Sequence, residues 1–249
     1  MNGYTSFADF YDLLMTDADY EGRAQVYDEA IKRHSLIEAK TLLDVACGTG
    51  NLTFVFDRMG YDITAVDLSE EMLMKAFEKK LRLGAENVLL LCQDMTELDL
   101  NDTVDAAVCS LDGINHLTDP EDVKAAFRRI SLFVNKGGVF VFDANTVYKH
   151  NNILANNCYR YDLEDIFCSW QNNLYADNIV GMEIDVFKRC AAGRFERFSD
   201  YFEERAYENE FFIEAAEDAG LEFLECFDEK TGNSPTAKTE RAYYVFRKK

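Results

Sequence analysis

Residues 41–53, "TLLDVACGTGNLT", run from an apolar segment into two glycines one residue apart and out into a helical pattern. Leu42, Leu43 and Val45 give Thr41–Ala46 the near-continuous apolar character of a strand buried on both faces. Gly48 and Gly50 leave the next turn without side chains, so a ligand can lie against bare backbone. After the first strand of an open parallel sheet, such a loop is the usual cradle for a phosphate or a sugar. The fold therefore turns on whether that kind of sheet follows.

The next hundred residues have the required alternation. Apolar runs at Asp62–Asp67, Val88–Gln93, Asp105–Ser110 and Gly138–Asp143 read as strands. Between them lie helix patterns at Asn51–Met59, Ser69–Leu83 and Pro120–Phe133, with a short turn near Thr96–Leu98. Strands and helices in this order predict a parallel sheet covered on both faces. Ahead of it, residues from about 5 to 38 are helical in character. Phe7, Phe10, Tyr11 and Leu14 recur at helical spacing, and Asp19 is placed to cap a helix beginning at Tyr20.

After Asp143 the alternation breaks. From about 159 to 207, stretches such as "NIVGMEIDVFKRC" and "GRFERFSDYFEERAY" show period-two patterning around Gly193, which is antiparallel-strand behaviour. The helix "NEFFIEAAEDAG" ends on Gly220, and the strands "LEFLECFD" and "RAYYVFRK" can pair antiparallel. The insertion sits between the fifth strand and the final helix, a place where active-site covers grow. Trp170, Tyr175 and Tyr201 are its candidates for lining the site it would cover.

Composition narrows the partners. The net charge of -20, from 26 basic and 46 acidic residues, repels nucleic-acid phosphates and anionic membranes at long range. A small-molecule partner is expected, with no nucleic acid and no membrane. No apolar run reaches the ~18 residues a membrane span needs, and the acidic, aromatic N-terminus lacks the blocks of a signal peptide. A cytoplasmic protein is expected. The 7 cysteines form no CxxC pair and the histidines are scattered, so neither a disulfide framework nor a metal site is predicted.

The loop itself discriminates between ligands. A dinucleotide fingerprint needs a third glycine where this chain has Thr53. Asp44, inside the first strand, aims a negative charge at the site that a pyrophosphate would oppose. The ligand should instead carry an amine. A Walker loop is excluded, because no G-K-[ST] follows.

"LLDVACGTG" resembles the first motif of the class I S-adenosylmethionine-dependent methyltransferases, and the order of later motifs agrees over about residues 40 to 145. The similarity is greatest to the small-molecule branch, which includes sugar N-methyltransferases and relatives of glycine N-methyltransferase. The resemblance implies an α/β fold with a Rossmann-like, doubly wound, mostly parallel seven-stranded sheet and an antiparallel lid insertion. Residues 1–144 and 208–249 would form the cofactor-binding domain with its N-terminal cap helices, and 145–207 the lid. The implied cofactor is S-adenosyl-L-methionine.

The resemblance also assigns roles. Asp67, ending "ITAVD", would accept both ribose hydroxyls, as an acid about 20 residues past the glycines does in dinucleotide folds. Asp94 would accept from the adenine amino group, the Met95 N–H would meet the ring, and Met95 and Leu68 would flank it. A backbone carbonyl at Cys109 or Ser110 would take the methionine amine, with Ala46 and Gly48 offering backbone to the same end. Tyr20 would face the methionine carboxylate and Tyr11 the acceptor. Arg23 is also placed to pair with that carboxylate. His116, in "LDGINHL", matches a histidine of the sugar N-methyltransferases and would touch the acceptor as base or orienting group, although Asp112 and Asn115 depart from their setting. Taken singly, Asp44, Asp67 and Asp94 also read as turn or helix caps, and the tyrosines as parts of an apolar helix face. The expected activity is methyl transfer to a small-molecule acceptor, an amine among the candidates. Its rivals are a cofactor-binding regulatory protein without turnover and an NAD-dependent oxidoreductase, the latter disfavoured by Thr53 and Asp44.

Overall fold

A computed structural model describes residues 8–15 and 18–249. The chain opens with α1 (Ala8–Leu14) and α2 (Tyr20–His34) and then alternates: β1 (Thr41–Val45), α3 (Asn51–Arg58), β2 (Asp62–Asp67), α4 (Glu70–Leu83), β3 (Val88–Cys92), β4 (Val104–Cys109), α5 (Pro120–Phe133), β5 (Val134–Asn145). Caps fix the helix starts. Asp19 Oδ1 accepts the Gly22 N–H at 2.9 Å, and Ser69 Oγ accepts that of Met72 at 3.2 Å. The expected helical residues before Ala8 lie outside the described residues.

A short helix α6 (Val147–Lys149) runs into a π-turn at His150–Leu154. Four antiparallel strands follow, β6 (Cys158–Asp162), β7 (Ile166–Leu174), β8 (Ile179–Arg189) and β9 (Phe195–Arg205), paired in sequence order as a separate sheet. The chain then returns through α7 (Asn209–Asp218), β10 (Leu221–Asp228) and β11 (Arg241–Lys248). The main sheet has seven strands in the order β10-β11-β5-β4-β1-β2-β3. Only β11 runs against its neighbours, pairing antiparallel with β10 and β5. No helix among the described residues is long and apolar enough to cross a membrane.

Strand alternation divides the core between two faces. On β5, Phe140, Phe142 and Ala144 join the Phe127, Phe212 and Tyr244 cluster beneath α5 and α7. Val139 and Val141 join Tyr27, Ile31 and Tyr243 beneath α2. A third cluster seats Phe10 and Leu14 of α1 on Cys168, Ile184 and Val186 of the second sheet. That contact brings the second sheet and α1 to the carboxyl ends of the parallel strands.

Most boundaries match or shift by one residue, and two differ from the sequence reading for a specific physical reason. The fifth strand extends to Val134–Asn145 instead of Gly138–Asp143, because β11 supplies ladder partners as far as Arg241↔Asn145 and a bulge opposite Val104 and Ala106 admits Val134. The first strand stops at Val45, where Ala46 turns to φ 56°. α6 and a 3-10 turn at Gly113–His116 are too short to carry a periodic signal in the sequence.

Candidate active site

The loop after β1 is shaped by its backbone. Gly48 has φ 56° with open space where a Cβ would stand, whereas at Gly50, φ 78°, a Cβ would come within 2.8 Å of the Phe54 ring. Gly48 thus keeps the loop open and Gly50 lets α3 pack close behind it. The Gly48 N–H donates to Asp67 Oδ2 at 2.7 Å, and the Cys47 N–H to the Val66 carbonyl at 3.0 Å. Helix α1 clamps the far side. Asp12 accepts from Thr49 Oγ1 at 2.7 Å and Asn51 Nδ2 at 2.9 Å and pairs with Lys79 at 2.6 Å.

A cavity of about 530 Å³ opens above this loop, within the usual range for small-molecule sites. Ala46, Gly48, Asp67, Leu68, Asp94 and Met95 line one half. Ser110, His116, Tyr11 and Tyr20 also reach it, as do Asp200 and Phe202 of β9. Asp67 accepts the Ser69 N–H at 2.9 Å as well as that of Gly48. Burial raises its carboxyl above the ordinary value, opposed by those two amides. Asp94 Oδ1 accepts from Thr96 N at 2.8 Å and Oγ1 at 2.7 Å, so this acid does cap a turn while also lining the cavity.

Other predicted residues stand elsewhere. Asp44 is buried beneath the loop, where Oδ2 accepts from Thr53 Oγ1 at 2.6 Å and Oδ1 has no partner. Burial lifts its carboxyl to about 7, with Thr53 opposing and Asp67 adding. At the place of a dinucleotide loop's third glycine, Thr53 thus supplies a hydroxyl donor to this acid. Of Cys109 and Ser110, only Ser110 lines the cavity; the Cys109 carbonyl faces the Tyr27 hydroxyl at 3.3 Å. Arg23 is a correction. It does not line the cavity but pairs with Glu229 at 2.6 Å, beside the Tyr243 hydroxyl at 3.5 Å, because an acidic cluster behind the sheet end claims it. Trp170, Tyr175 and Tyr201 do not line it either. Trp170 packs edge-on against Phe202 at 6.1 Å. Tyr201 points to the opposite face of β9 from its neighbours Asp200 and Phe202, as strand pleating requires.

The turn after β4 carries residues that local sequence patterns do not reveal. Leu111 and Asp112 both have positive φ, 53° and 60°, a conformation costing about 1–2 kcal/mol for each non-glycine residue. Asp143 holds them there, accepting the Leu111 N–H at 2.9 Å and the Asp112 N–H at 3.0 Å. It also accepts from Tyr27 Oη at 2.6 Å and pairs with the buried Arg241. Burial works to raise the Asp143 carboxyl, yet Arg241, Tyr27 and Arg23 hold it below the ordinary range. The 3-10 turn that follows places His116 at the cavity, Nε2 3.9 Å from Glu204 Oε1 and its ring 5.3 Å from Phe202. Burial raises Tyr11, so its phenol stays neutral.

Residues 42–138 match the methyltransferase domain family model. The chain is 34% identical to a crystallised S-adenosylmethionine-dependent methyltransferase from Clostridium acetobutylicum ATCC 824, covering 97% of each chain with a TM-score of 0.86. It belongs to the S-adenosylmethionine-dependent methyltransferases. A Geobacillus sp. (strain WCH70) protein named "Putative methyltransferase" is 30% identical over 98% of this chain and 99% of its own. A Streptomyces fradiae dTDP-3-amino-3,6-dideoxy-alpha-D-glucopyranose N,N-dimethyltransferase is 32% identical over 55% of this chain and 52% of its own. The cofactor of this methyltransferase is S-adenosylmethionine. Its residues fit that group: the glycine loop leaves open backbone at Gly48, and an unpartnered carboxylate oxygen of Asp44 lies beneath it.

Proposed function

We propose that this methyltransferase acts on a small-molecule amine. The observation that carries the reading is His116, held on the turn after β4 with its ring against Phe202 and Nε2 3.9 Å from a buried carboxylate, in the wall of the cavity. Relatives named for amino-sugar and glycine N-methylation support an amine over a hydroxyl. Bound S-adenosylmethionine supplies a sulfonium methyl whose C–S electron pair stays with sulfur as the acceptor nitrogen's lone pair forms the new C–N bond.

The chain's own task is alignment in a dry cavity. Asp67 is assigned to the ribose hydroxyls, and Asp94 with Met95 and Leu68 to the adenine. Ser110, Ala46, Gly48 and Tyr20 are assigned to the methionyl end. His116 takes a proton from the acceptor ammonium or orients the neutral amine by a hydrogen bond, and the neutral Tyr11 phenol faces the same acceptor. The second sheet, with residues 145–207, serves as the cover that excludes water.

The test is a screen of amine, hydroxyl and carboxyl acceptors with methyl-labelled cofactor. Label should appear in an amine; label confined to hydroxyl or carboxyl products would overturn the reading. Asp67→Ala should weaken S-adenosylhomocysteine binding at least tenfold, since charge-assisted hydrogen bonds contribute ~1.5–3 kcal/mol each. Calorimetry checks this, and an unchanged isotherm would remove Asp67 from the cofactor site. His116→Asn should lower kcat about 10²-fold if the imidazole is the base and a few-fold if it only positions the amine. S-adenosylhomocysteine affinity should stay nearly constant in that variant. Full turnover would show that His116 has neither role.

A further inference from the structure

Resting on the amine-transfer reading, we infer that the acceptor is a phosphate-free amine that binds as its ammonium ion, between the Asp200 carboxylate and the Phe202 ring. Strand β9 supplies the reading face. Its alternate residues Phe198, Asp200, Phe202 and Glu204 turn toward the body of the protein. Phe198 meets Phe10 of α1 at 5.2 Å, Phe202 meets His116, and Glu204 lies behind it. Asp200 and Phe202 are the two that line the cavity. Asp200 is exposed, accepts only the Tyr201 amide at 2.8 Å, and has no ion-pair partner among the described residues. A free carboxylate beside an aromatic face suits an ammonium ion.

The charge of the whole cavity agrees. Among the described residues its wall contains Asp67, Asp94 and Asp200 and no lysine or arginine. Residues 1–7, Thr16 and Asp17 contain none either. Four basic side chains outside the wall have protein partners. Lys79 is with Asp12, Arg241 with Asp112 at 3.1 Å, Lys149 donates to Asn145 at 2.7 Å and Arg205 to the Thr118 carbonyl at 3.1 Å. With Asp67 and Asp94 assigned to the cofactor, Asp200 is the wall carboxylate left to face the acceptor, and a diphosphate beside it would meet repulsion with no cation in the wall. A dTDP-linked amino sugar, the acceptor named for the Streptomyces fradiae relative, should therefore bind less well than a phosphate-free amine. A cationic amine next to a sulfonium needs the acidic wall that is present.

The full chain is first loaded with S-adenosylhomocysteine, and calorimetry confirms the loading. Failure at that step counts against the cofactor site and not against this inference. The loaded protein is then titrated with ethanolamine, glucosamine, tyramine, 1,4-diaminobutane and the dTDP-linked amino sugar. At least one phosphate-free amine should bind, more weakly as salt is added, and more tightly than the dTDP sugar. Asp200→Asn should weaken that amine about fivefold, the scale of one partly solvated charge pair, with S-adenosylhomocysteine affinity unchanged. Tighter binding of the dTDP sugar than of every amine, binding by no amine, or an amine affinity indifferent to Asp200→Asn would each overturn the inference.

Discussion

Asp143→Ala is expected to lower the unfolding free energy by about 3–5 kcal/mol, because it breaks a buried ion pair and leaves three buried or half-buried donors without their acceptor. Arg241, whose side chain is 8% exposed, would keep only Asp112 at 3.1 Å and Glu229 at 3.8 Å. The Leu111 and Asp112 amides would lose the acceptor that holds their positive-φ turn, and Tyr27 the acceptor of its hydroxyl. For a chain of this size the loss corresponds to a fall in melting temperature of about 6–20 °C. The turn carrying His116 should also lose its fixed geometry, so activity should fall further than stability alone explains. Urea titration of Asp143→Ala, Arg241→Met and the double variant checks the coupling. Additive effects would show that the pair is not the unit described.

The same carboxyl has a pH signature with a definite sign. Its folded value lies below the ordinary one, so its stabilisation is complete above the unfolded value near ~3.9 and is lost only as pH falls through the lower folded value. Acid unfolding of the wild type should include this loss below about pH 4, and Asp143→Asn should lack it.

Asp44→Asn is expected to act in the opposite direction on the ligand-free protein. Asp44 is held at about 7 by burial, whereas an unfolded aspartate titrates near ~3.9. A raised folded value means that stability falls as pH rises from about 4 to 7, by as much as ~4 kcal/mol once the buried acid must ionise. Asparagine removes that cost and can keep the Thr53 bond, but leaves an amide N–H unsatisfied at about 1–3 kcal/mol. A net gain of about 2 kcal/mol at pH 8, or ~4–8 °C in melting temperature, should result. The gain should disappear near pH 4. Cofactor binding should suffer instead. A cationic ligand above the loop favours ionised Asp44, so wild-type affinity for S-adenosylmethionine should rise with pH through 7 as a proton is released. That rise should be absent in the variant, with about tenfold weaker binding at pH 8. Thermal melts and calorimetry across pH 6 to 8 check both halves. An Asp44→Asn protein no more stable than wild type would refute the buried-charge account.

The acids at the strand ends were legible because their signals are local. An apolar run of five or six residues fixes a strand, the glycines fix the loop, and the residue ending each run must face the carboxyl edge. Asp67, Asp94 and Ser110 reach the cavity for that reason. The same reasoning placed the second sheet, since period-two patterning around Gly193 is also local. It could not say which face of β9 turns inward. The alternation defines two faces, and packing against Phe10 and His116 selects the one with Asp200 and Phe202 over the one with Tyr201.

Long-range partners were not legible at all. Asp143 and Arg241 are 98 residues apart, and each alone resembles an ordinary strand-end charge. Arg23 looked available for a carboxylate until Glu229, brought over by the return of β10, claimed it. Thr53 looked like a missing glycine until Asp44 was found beneath it. The sequence by itself determined the strand–helix order, the open loop and the chemical class of ligand, because propensity, periodicity and glycine geometry act over a few neighbouring residues. Only the tertiary structure decided which charges pair and which remain to meet a ligand, because burial and Coulomb partnership depend on residues that meet only when the sheet has closed.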